Sequence, residues 1–253
     1  MRPQANAVDN TASAKGFWPD APALRQVARW LLLGWADFKA NPGIALAYGL
    51  GIMAASWGIV IWLWTASLAW MILPAAAGAL LVMPLIAAGL YHVARNSTEA
   101  KRPFNWTQLS LAGGILMVLQ LAWLRAATIL FALIYGLQPF PGFVESLGIL
   151  LTTGSGWALL ITGSAIGGLF AAFGFSITAF SIPMLIDRDI DAFSAMGISF
   201  STVTHNMPVS LCWATALCIL TGLGILTGGV LLVVIFPVLG FAAWHAYQDI
   251  LGS

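Results

Sequence analysis

Charged residues are scarce in this sequence. Ten Lys and Arg and nine Asp and Glu make up 8% of the 253 residues, whereas a soluble globular domain carries about 25%. So few charges cannot cover a water-facing surface, and 60% of the residues are hydrophobic, with a mean hydropathy of +0.91. The main solvent of the folded chain is therefore lipid. The net charge of +1 gives no support for a nucleic-acid partner.

The sequence has only two cysteines and none of the common catalytic motifs. Cys212 and Cys218 lie in one apolar run, six residues apart, which puts them about 120° from facing each other on a helix. This spacing disfavours an internal disulfide and predicts two buried, inert thiols. The sequence has no phosphate-binding loop, GxGxxG, CxxC, HExxH or GxSxG motif. We therefore expect no enzymatic activity, no metal site and no bound cofactor.

Residues 1–19 are interpreted as a separate N-terminal segment. They are polar and lack the apolar core of a cleaved signal peptide. We expect a disordered tail there. One integral membrane domain, inserted by its own first membrane segment, is expected to follow over residues 20–253.

Long stretches without charge map the membrane crossings. No Asp, Glu, Lys or Arg occurs between Lys39 and Arg95, or between Asp191 and Asp249. As a single helix, either stretch would be about 80 Å long, against a hydrocarbon core of about 30 Å. Each stretch must therefore fold back once.

Turns are expected where small and helix-breaking residues cluster. Such clusters surround Ser67 and Gly228, and Pro139 with Pro141 stops a helix in the middle of the chain. The prediction is an all-α polytopic fold of six transmembrane helices, arranged as three hairpins. The crossings are expected at about residues 43–65, 69–94, 109–137, 157–186, 209–227 and 229–247.

Lys and Arg are distributed unequally among the connections. Five precede the first crossing, three follow the second, and Arg188 follows the fourth, while the other three connections have none. Positively charged loops stay in the cytoplasm. Both termini are therefore predicted to be cytoplasmic.

Two more segments predict amphipathic helices on the cytoplasmic face of the membrane, because their apolar residues recur at helical spacing. In the first, about residues 20–41, the stripe is Leu24, Val27, Leu31, Trp35 and Phe38. In the second, about residues 188–205, it is Ile190, Phe193, Gly197 and Phe200. Asp187, Asp189 and Asp191 are expected to begin the second helix, where carboxylates suit the helix dipole, rather than to form a cation site.

A proline stands near the cytoplasmic end of every second crossing: Pro84, Pro183 and Pro237. The recurrence indicates repeated hairpins, an architecture that many transporters have. A proline within a helix frees a backbone carbonyl and kinks the helix. The three prolines are therefore candidate hinges that either open a cytoplasmic vestibule or steer the chain into the surface helices.

Three segments carry a family resemblance. The segment MPLIAAGLYHVARNSTEAKRPFNW, from Met83 to Trp106, resembles the signature of an uncharacterised bacterial integral-membrane family, domain of unknown function 2189. NPGIALAYGLGIMAASWG and FPVLGFAAWHAYQDIL are similar to that family's opening and closing segments. The resemblance extends over most of the chain after about Asp20, and it implies the fold and a place in the bacterial inner membrane. Phe241 stands where that family commonly has a second histidine, which argues against a multi-histidine site.

Members of that family are often labelled as a cytochrome oxidase subunit, so the histidines are of interest. The sequence has three, His92, His205 and His245, too few for a catalytic haem–copper subunit. His92 and His245 each follow an aromatic residue at a helix exit. Facing each other, they would fit a bis-histidine haem. The preferred interpretation is interfacial anchoring, with the apolar body in lipid and the polar tip in water.

Arg125 lies well inside the third crossing, between apolar residues. A central arginine costs about 2.5–3.5 kcal/mol on insertion scales, and no crossing contains an acid to pair with it. One interpretation is a contact for an anion or a lipid headgroup in a cavity. The other is a side chain that snorkels towards the periplasm and Glu145, or that bonds carbonyls freed near a proline. Both remain open at this point.

Three functions are compatible with these features. The first and preferred one is a non-catalytic accessory or scaffold subunit of a larger membrane complex of the respiratory type, with lipid and other membrane subunits as partners. The twelve tryptophans and the small mass outside the membrane favour it. The second is a small permease or channel with a cytoplasmic vestibule around Arg125. The third is a haem-binding membrane subunit that uses His92 and His245.

Overall fold

The computed structural model describes residues 23–95, 105–136 and 143–252. Over these ranges the secondary structure is helical, which confirms the predicted all-α class. Residues 1–19, the connection that follows the second predicted crossing, and the pair Pro139 and Pro141 lie outside the described residues. The predictions for them stay predictions.

The described residues form eleven α-helices and a short 3-10 helix at Ala69–Met71. The helices are α1 Ala23–Ala40, α2 Pro42–Thr65, α3 Ile72–Ile86, α4 Ala88–Arg95, α5 Trp106–Tyr135, α6 Phe143–Thr152, α7 Gly154–Thr178, α8 Ser181–Asp187, α9 Ala192–His205, α10 Met207–Leu226 and α11 Leu232–Leu251.

Five helical stretches of the described chain are long and apolar enough to span a membrane: Pro42–Thr65, Trp106–Tyr135, Gly154–Asp187, Met207–Leu226 and Leu232–Leu251. They match five of the six predicted crossings. The second predicted crossing, residues 69–94, is not confirmed. It is divided at Ala87, and its longest helix, α3, has only 15 residues, fewer than the roughly 17–25 that a spanning helix needs. Pro84 explains the division, because a proline removes one ladder hydrogen bond near the end of the helix.

The arrangement as three hairpins is likewise not confirmed. The chain turns where expected, with positive φ angles at Ser67 (59°), Gly228 (66°) and Gly229 (88°). α5 packs on α7, and α10 packs on α11. α2, however, packs along α11, while α3 packs on α5. The first predicted hairpin is therefore replaced by a pair of helices that are far apart in the sequence.

Five helices pack on α11, namely α1, α2, α4, α8 and α10. Glycines allow the closest approaches. A Cβ at Gly34 of α1 would clash with the backbone of α11 at Val238 and Ala242. A Cβ at Gly49 of α2 would overlap the carbonyl of Val233. That carbonyl is the one that Pro237 leaves without its helical N–H partner. The freed carbonyl and the close packing thus occur at one place.

The buried core lies at one end of the bundle. In α5 the buried residues are Leu109, Ala112 and Leu116, all in the first half of the helix. In α11 most of the buried residues fall between Phe236 and Tyr247. α4, α8 and α9 pack at the same end, and most charged residues of the described chain lie there. We call it the charged end, and the other half of the bundle the distal half.

The predicted stripe of α1 is only partly its packing face. The side chains that α1 buries are Gln26, Val27 and Trp30, together with Gly34. Leu24 of the stripe is 72% exposed and Trp35 is 42% exposed. α1 therefore has two apolar faces, one packed on α11 and one exposed, and the exposed face is the one that an interfacial helix turns to lipid.

α9 has the same construction. It buries small residues, among them Ala192, Ala195 and Ser199. Phe193 and Phe200, which belong to the predicted stripe, are 66% and 44% exposed. The stripe is therefore the exposed apolar face rather than the packing face. In α10 the thiols of Cys212 and Cys218 are free, and Cys218 is exposed, contrary to the prediction that it is buried.

Candidate functional site

Polar side chains of four elements meet around the last two turns of α11. Its residues His245, Gln248 and Asp249 share one face because they are three or four positions apart, whereas Tyr247 lies on another face. The first face meets α1, and Tyr247 meets the end of α8. These contacts form the candidate site, which we call the α11 polar network.

Asp249 is the acceptor for the first turns of α1. The side chain of Gln26 donates to Asp249 Oδ2 at 2.9 Å, and the indole N–H of Trp30 donates to the same oxygen at 3.0 Å. Both donors are nearly fully buried. The guanidinium of Arg29 lies 3.8 Å from Oδ1. Trp30 also meets Trp213 of α10 edge to face, with 5.8 Å between the ring centroids, so this contact fixes α1 against two helices.

His245 is held by an acid. Its Nε2 lies 2.7 Å from Asp37 Oδ2, and about a quarter of each side chain is exposed. The tip of His245 therefore contacts α1 while part of the side chain stays exposed, and interfacial anchoring stays a prediction. A haem iron would have to displace Asp37 from Nε2. His92 lies in α4, which meets α11 where Leu90 contacts Gly240. His205 lies in α9, with Nδ1 2.7 Å from the Ser201 carbonyl.

The other side of α11 contacts the end of α8. The hydroxyl of Tyr247 donates to Asp187 Oδ2 at 2.6 Å. Arg188 donates to the carbonyl of Leu251, and its guanidinium lies 5.9 Å from the centroid of the Tyr247 ring. A cation at the last carbonyls of a helix complements the helix dipole. These contacts fix the C-terminal end of α11.

Arg95 closes the network from α4. Only 5% of its surface is exposed, and its guanidinium donates to the carbonyl of Ile186. From the sequence, Arg95 counted simply as a cation of a cytoplasmic connection. The structure makes it a buried contact between α4 and α8.

The three acids predicted to begin the second surface helix have different roles. Asp187 ends α8 and accepts from Tyr247, while Asp189 is exposed in the connection. Asp191 is the N-cap of α9, where its carboxylate accepts from the backbone N–H of Ser194 at 2.9 Å. Hydrogen bonds from the side chain and the backbone of Ser194 hold the pKa of Asp191 below its ordinary value. The N-terminal assignment is thus confirmed for Asp191.

A shallow pocket of about 190 Å³ opens between α1 and α11. It is lined by Arg29, Trp30, Leu33, His245, Gln248 and Asp249. Among the residues that the structure describes, no three His, Cys, Asp or Glu side chains group closely enough to hold a metal ion. The contacts that the network makes are hydrogen bonds and ion pairs between helices.

The three candidate hinge prolines occupy different local structures. α3 ends two residues after Pro84, the chain breaks between α7 and α8 before Pro183, and α11 runs through Pro237 without a break. Pro183 and Pro237 are each less than 2% exposed. Pro183 and Pro237 therefore lie in the packed core, and the vestibule that these prolines would open stays a prediction.

The helix breaks before Pro183, and a residue of α9 contributes to this break as well as the proline. The backbone N–H of Phe180 donates to Ser199 Oγ at 3.1 Å, and this hydroxyl donates to the carbonyl of Ser176 at 2.8 Å. In a regular helix the N–H of residue 180 would donate to that carbonyl directly. The Ser199 hydroxyl is thus inserted into the ladder, an arrangement that bends helices. The bend and the position of α9 depend on each other.

Arg125 lies far from the α11 polar network. It is exposed on α5, among apolar side chains that are also exposed, such as Val118 at 67% and Ile129 at 58%. None of the described side chains gives it a hydrogen bond or an ion pair. The side chain of Glu145 is outside the described part of the chain, so snorkelling towards it stays a prediction. Arg125 thus lies on the outer surface of the bundle.

Sequence reasoning missed most of the α11 polar network. Gln26, Asp37 and Asp249 were passed over because they flank the apolar stretches and resemble ordinary boundary residues. The signal in the sequence is that Gln26, Trp30 and Asp37 are four and seven residues apart, which puts polar groups on one face of a helix. Their partners in α11 lie more than 200 residues away, and no local pattern identifies them.

Comparison with known protein families identifies the middle of the chain. Residues 71–187 match the sequence profile of a family described as "Predicted integral membrane protein (DUF2189)". The matched segment contains the MPLIAAGLYHVARN motif, so the resemblance is confirmed there, while the opening and closing motifs lie outside it. No curated protein and no solved structure matches the chain.

Proposed function

We propose that this multi-pass membrane protein, whose residues 71–187 carry the DUF2189 segment, is a non-catalytic accessory or scaffold subunit of a larger complex in the bacterial inner membrane. The observation that carries the proposal is the uneven packing of the bundle. The most apolar windows of α2 and α5 are only 17% and 11% buried, against 56% for Leu232–Leu251. Two spanning helices therefore offer most of their surface to other molecules in the membrane.

The distal half favours partners over a self-contained transport path. Transporters bind their substrate near the middle of the bilayer, between helices that enclose it. In this chain, α5 has no buried residue after Leu116, and α7 has none between Gly156 and Gly174. The helices touch one another there along narrow contacts, such as Trp123 of α5 on Gly167 of α7. The enclosed part of the protein is the charged end, where side chains bond one another.

The orientation proposed here puts the charged end in the cytoplasm, with both termini on that side. The described cations at this end are Arg25, Arg29, Lys39, Arg95 and Arg188. Such an excess of Lys and Arg is typical of the cytoplasmic side. At the other end of α2, Trp62 and Trp64 are exposed in the last turn, where tryptophans suit the opposite interface.

Purification in a mild detergent tests the proposal. We expect the tagged full-length chain to retain stoichiometric membrane subunits, identified by mass spectrometry, in a particle well above its own 26.8 kDa. Respiratory complexes are the first candidates, because relatives of the family often carry an oxidase-subunit label. An unrelated multi-pass protein with the same tag is the control. A monodisperse particle that contains only this chain would contradict the proposal and favour a small permease.

A further inference from the structure

We infer that the exposed face of α5 around Arg125 binds a transmembrane helix of another polypeptide, and that this helix carries an Asp or Glu within its apolar segment. The inference rests on the proposed function and names the chemistry of the partner. Its starting point is a cation on the outer surface of a helix that is otherwise apolar and only 11% buried.

The depth of Arg125 follows from the length of α5. The helix has 30 residues and is therefore about 45 Å long, against a hydrocarbon core of about 30 Å. Arg125 is the twentieth of these residues. With the helix centred in the bilayer, its Cα lies about 7 Å from the mid-plane and about 8 Å inside the nearer boundary. That boundary is on the side of the C-terminus of α5.

The direction of the side chain opposes snorkelling to the nearer boundary. In a helix the Cα–Cβ bond tilts towards the N-terminus, and long side chains lean the same way. From Arg125, this direction leads towards the mid-plane. The guanidinium therefore starts deeper than its Cα, away from the lipid phosphates of the nearer leaflet. A carboxylate at that depth can pair with the guanidinium without the Arg125 side chain having to turn back towards the nearer boundary.

None of the acids whose side chains the structure describes supplies such a carboxylate. Asp37, Asp187, Asp189, Asp191 and Asp249 all lie at the charged end. A second copy of the chain does not supply one either. A two-fold contact through this face would bring α5 against α5, and α5 contains Arg125 but no acid. Charge complementarity thus favours a different polypeptide.

The surface next to Arg125 admits a helix. Gly114, Val118, Ala122 and Ile129 are exposed on the same side of α5, because they are three, four, seven or eleven positions from Arg125. A Cβ at Gly114 would meet nothing within 4 Å. Small residues beside a polar group are typical of interfaces between membrane helices, where backbones approach closely and polar side chains pair. The arginine fixes the register of such a contact.

Photo-crosslinking in native membranes tests the inference. A photoreactive residue at Ala122 reports on the proposed interface. The same residue at Ile219 of α10, which is 58% exposed on another helix, serves as the control. We expect a crosslink to one membrane polypeptide from Ala122 and not from Ile219. The crosslinked segment of that polypeptide should contain an Asp or Glu.

Charge variants complete the test. Arg125→Leu and the neutral, polar Arg125→Gln should insert at normal levels and lower the crosslink at least tenfold. Arg125→Lys should retain more of it, because it keeps the charge but loses the planar fork. Exchanging the two charges, with Arg125→Glu here and an arginine in place of the partner's acid, should restore the crosslink.

Four results would overturn the inference: a crosslink only to lipid, a crosslink only to a second copy, a partner without an acid in the contacting segment, or a crosslink insensitive to both Arg125→Leu and Arg125→Gln. Each of them leaves the accessory role standing if other subunits still co-purify with the chain. Absence of any co-purifying subunit would instead overturn the proposed function itself.

Discussion

At the scale of single residues, Asp249 has the clearest structural role. It is the common acceptor for Gln26 and Trp30, two donors that have almost no access to water. Leaving a buried donor without an acceptor costs about 1–3 kcal/mol. Asp249 therefore contributes to the docking of α1 on α11.

We predict that Asp249→Ala lowers the stability of the purified protein by about 1–3 kcal/mol, because two buried donors lose their acceptor. Asp249→Asn, which keeps an acceptor oxygen, should cost less. The apparent midpoint of thermal unfolding in detergent measures the effect. The matched control is Asp189→Ala, since Asp189 is exposed in a connection. Equal losses in Asp249→Ala and Asp189→Ala would contradict the role given to Asp249.

The residue scale also shows why sequence reasoning reached some residues and not others. Arg125 could be identified from the sequence because a charged residue inside an apolar stretch is unusual, whichever helices the stretch packs against. Ser199 is not, because a serine in a surface helix is ordinary. Its role depends on meeting the backbone of Phe180 and Ser176, and the fold alone creates that meeting.

At the scale of the elements, α11 organises the molecule. Its C-terminal turns bond α1 and α8, and its backbone at Val233 is in contact with Gly49 of α2. Pro237 contributes by freeing the Val233 carbonyl from the helix ladder. The contact between α2 and α11 thus depends on two residues. Gly49 of α2 has no side chain, and Pro237 of α11 has no backbone N–H.

We predict that Gly49→Leu loosens the packing of α2 on α11, because the added side chain overlaps the Val233 carbonyl. Overpacking of this kind costs about 1–3 kcal/mol or more. Gly51→Leu is the matched control, since a Cβ at Gly51 of the same helix meets nothing within 4 Å. Thermal unfolding of both variants, together with disulfide crosslinking between α2 and α11, measures the effect. Equal behaviour of the two variants would refute the close contact at Gly49.

Most helices were predictable, and their pairing was not. Charge-free stretches and turn residues located five spanning helices to within a few residues. They also suggested that α2 packs with the next crossing, since a turn follows it at Ser67. α2 instead packs on α11, a helix some 190 residues further on. Turn chemistry determines where a chain reverses, whereas the shapes of distant surfaces determine which helices touch.

At the scale of the whole molecule, the number of crossings depends on α3 and α4. The second predicted crossing is divided into α3 and α4, and neither is long enough to span the membrane alone. Together they cover residues 72–95, a length sufficient for one bent crossing. The number decides the topology, because an even number of crossings puts both termini on the same side of the membrane.

We predict six crossings, with both termini and the connection after α4 in the cytoplasm. Reporter fusions at Ser13, Ser97 and Ser253 should give cytoplasmic signals, and a fusion near Phe143 a periplasmic one. The reason for Ser13 and Ser97 is the Lys and Arg beside them. Ser253 is expected on the same side because the predicted number of crossings is even. A periplasmic signal at Ser97 would mean that α3 and α4 do not cross together.

The docking of α1 on α11 has a consequence for the time course of synthesis. Gln26 and its acceptor Asp249 are 223 residues apart in the chain, and ribosomes add about 5–20 residues per second. The first helix therefore emerges roughly 10–45 s before the helix that receives it. In that interval its exposed Leu24, Leu32 and Trp35 provide an apolar face that can rest on the bilayer. α1 can thus dock only after α11, the last helix, has been made. A chain that is released before α11 is synthesised leaves α1 on the membrane surface without its docking partner.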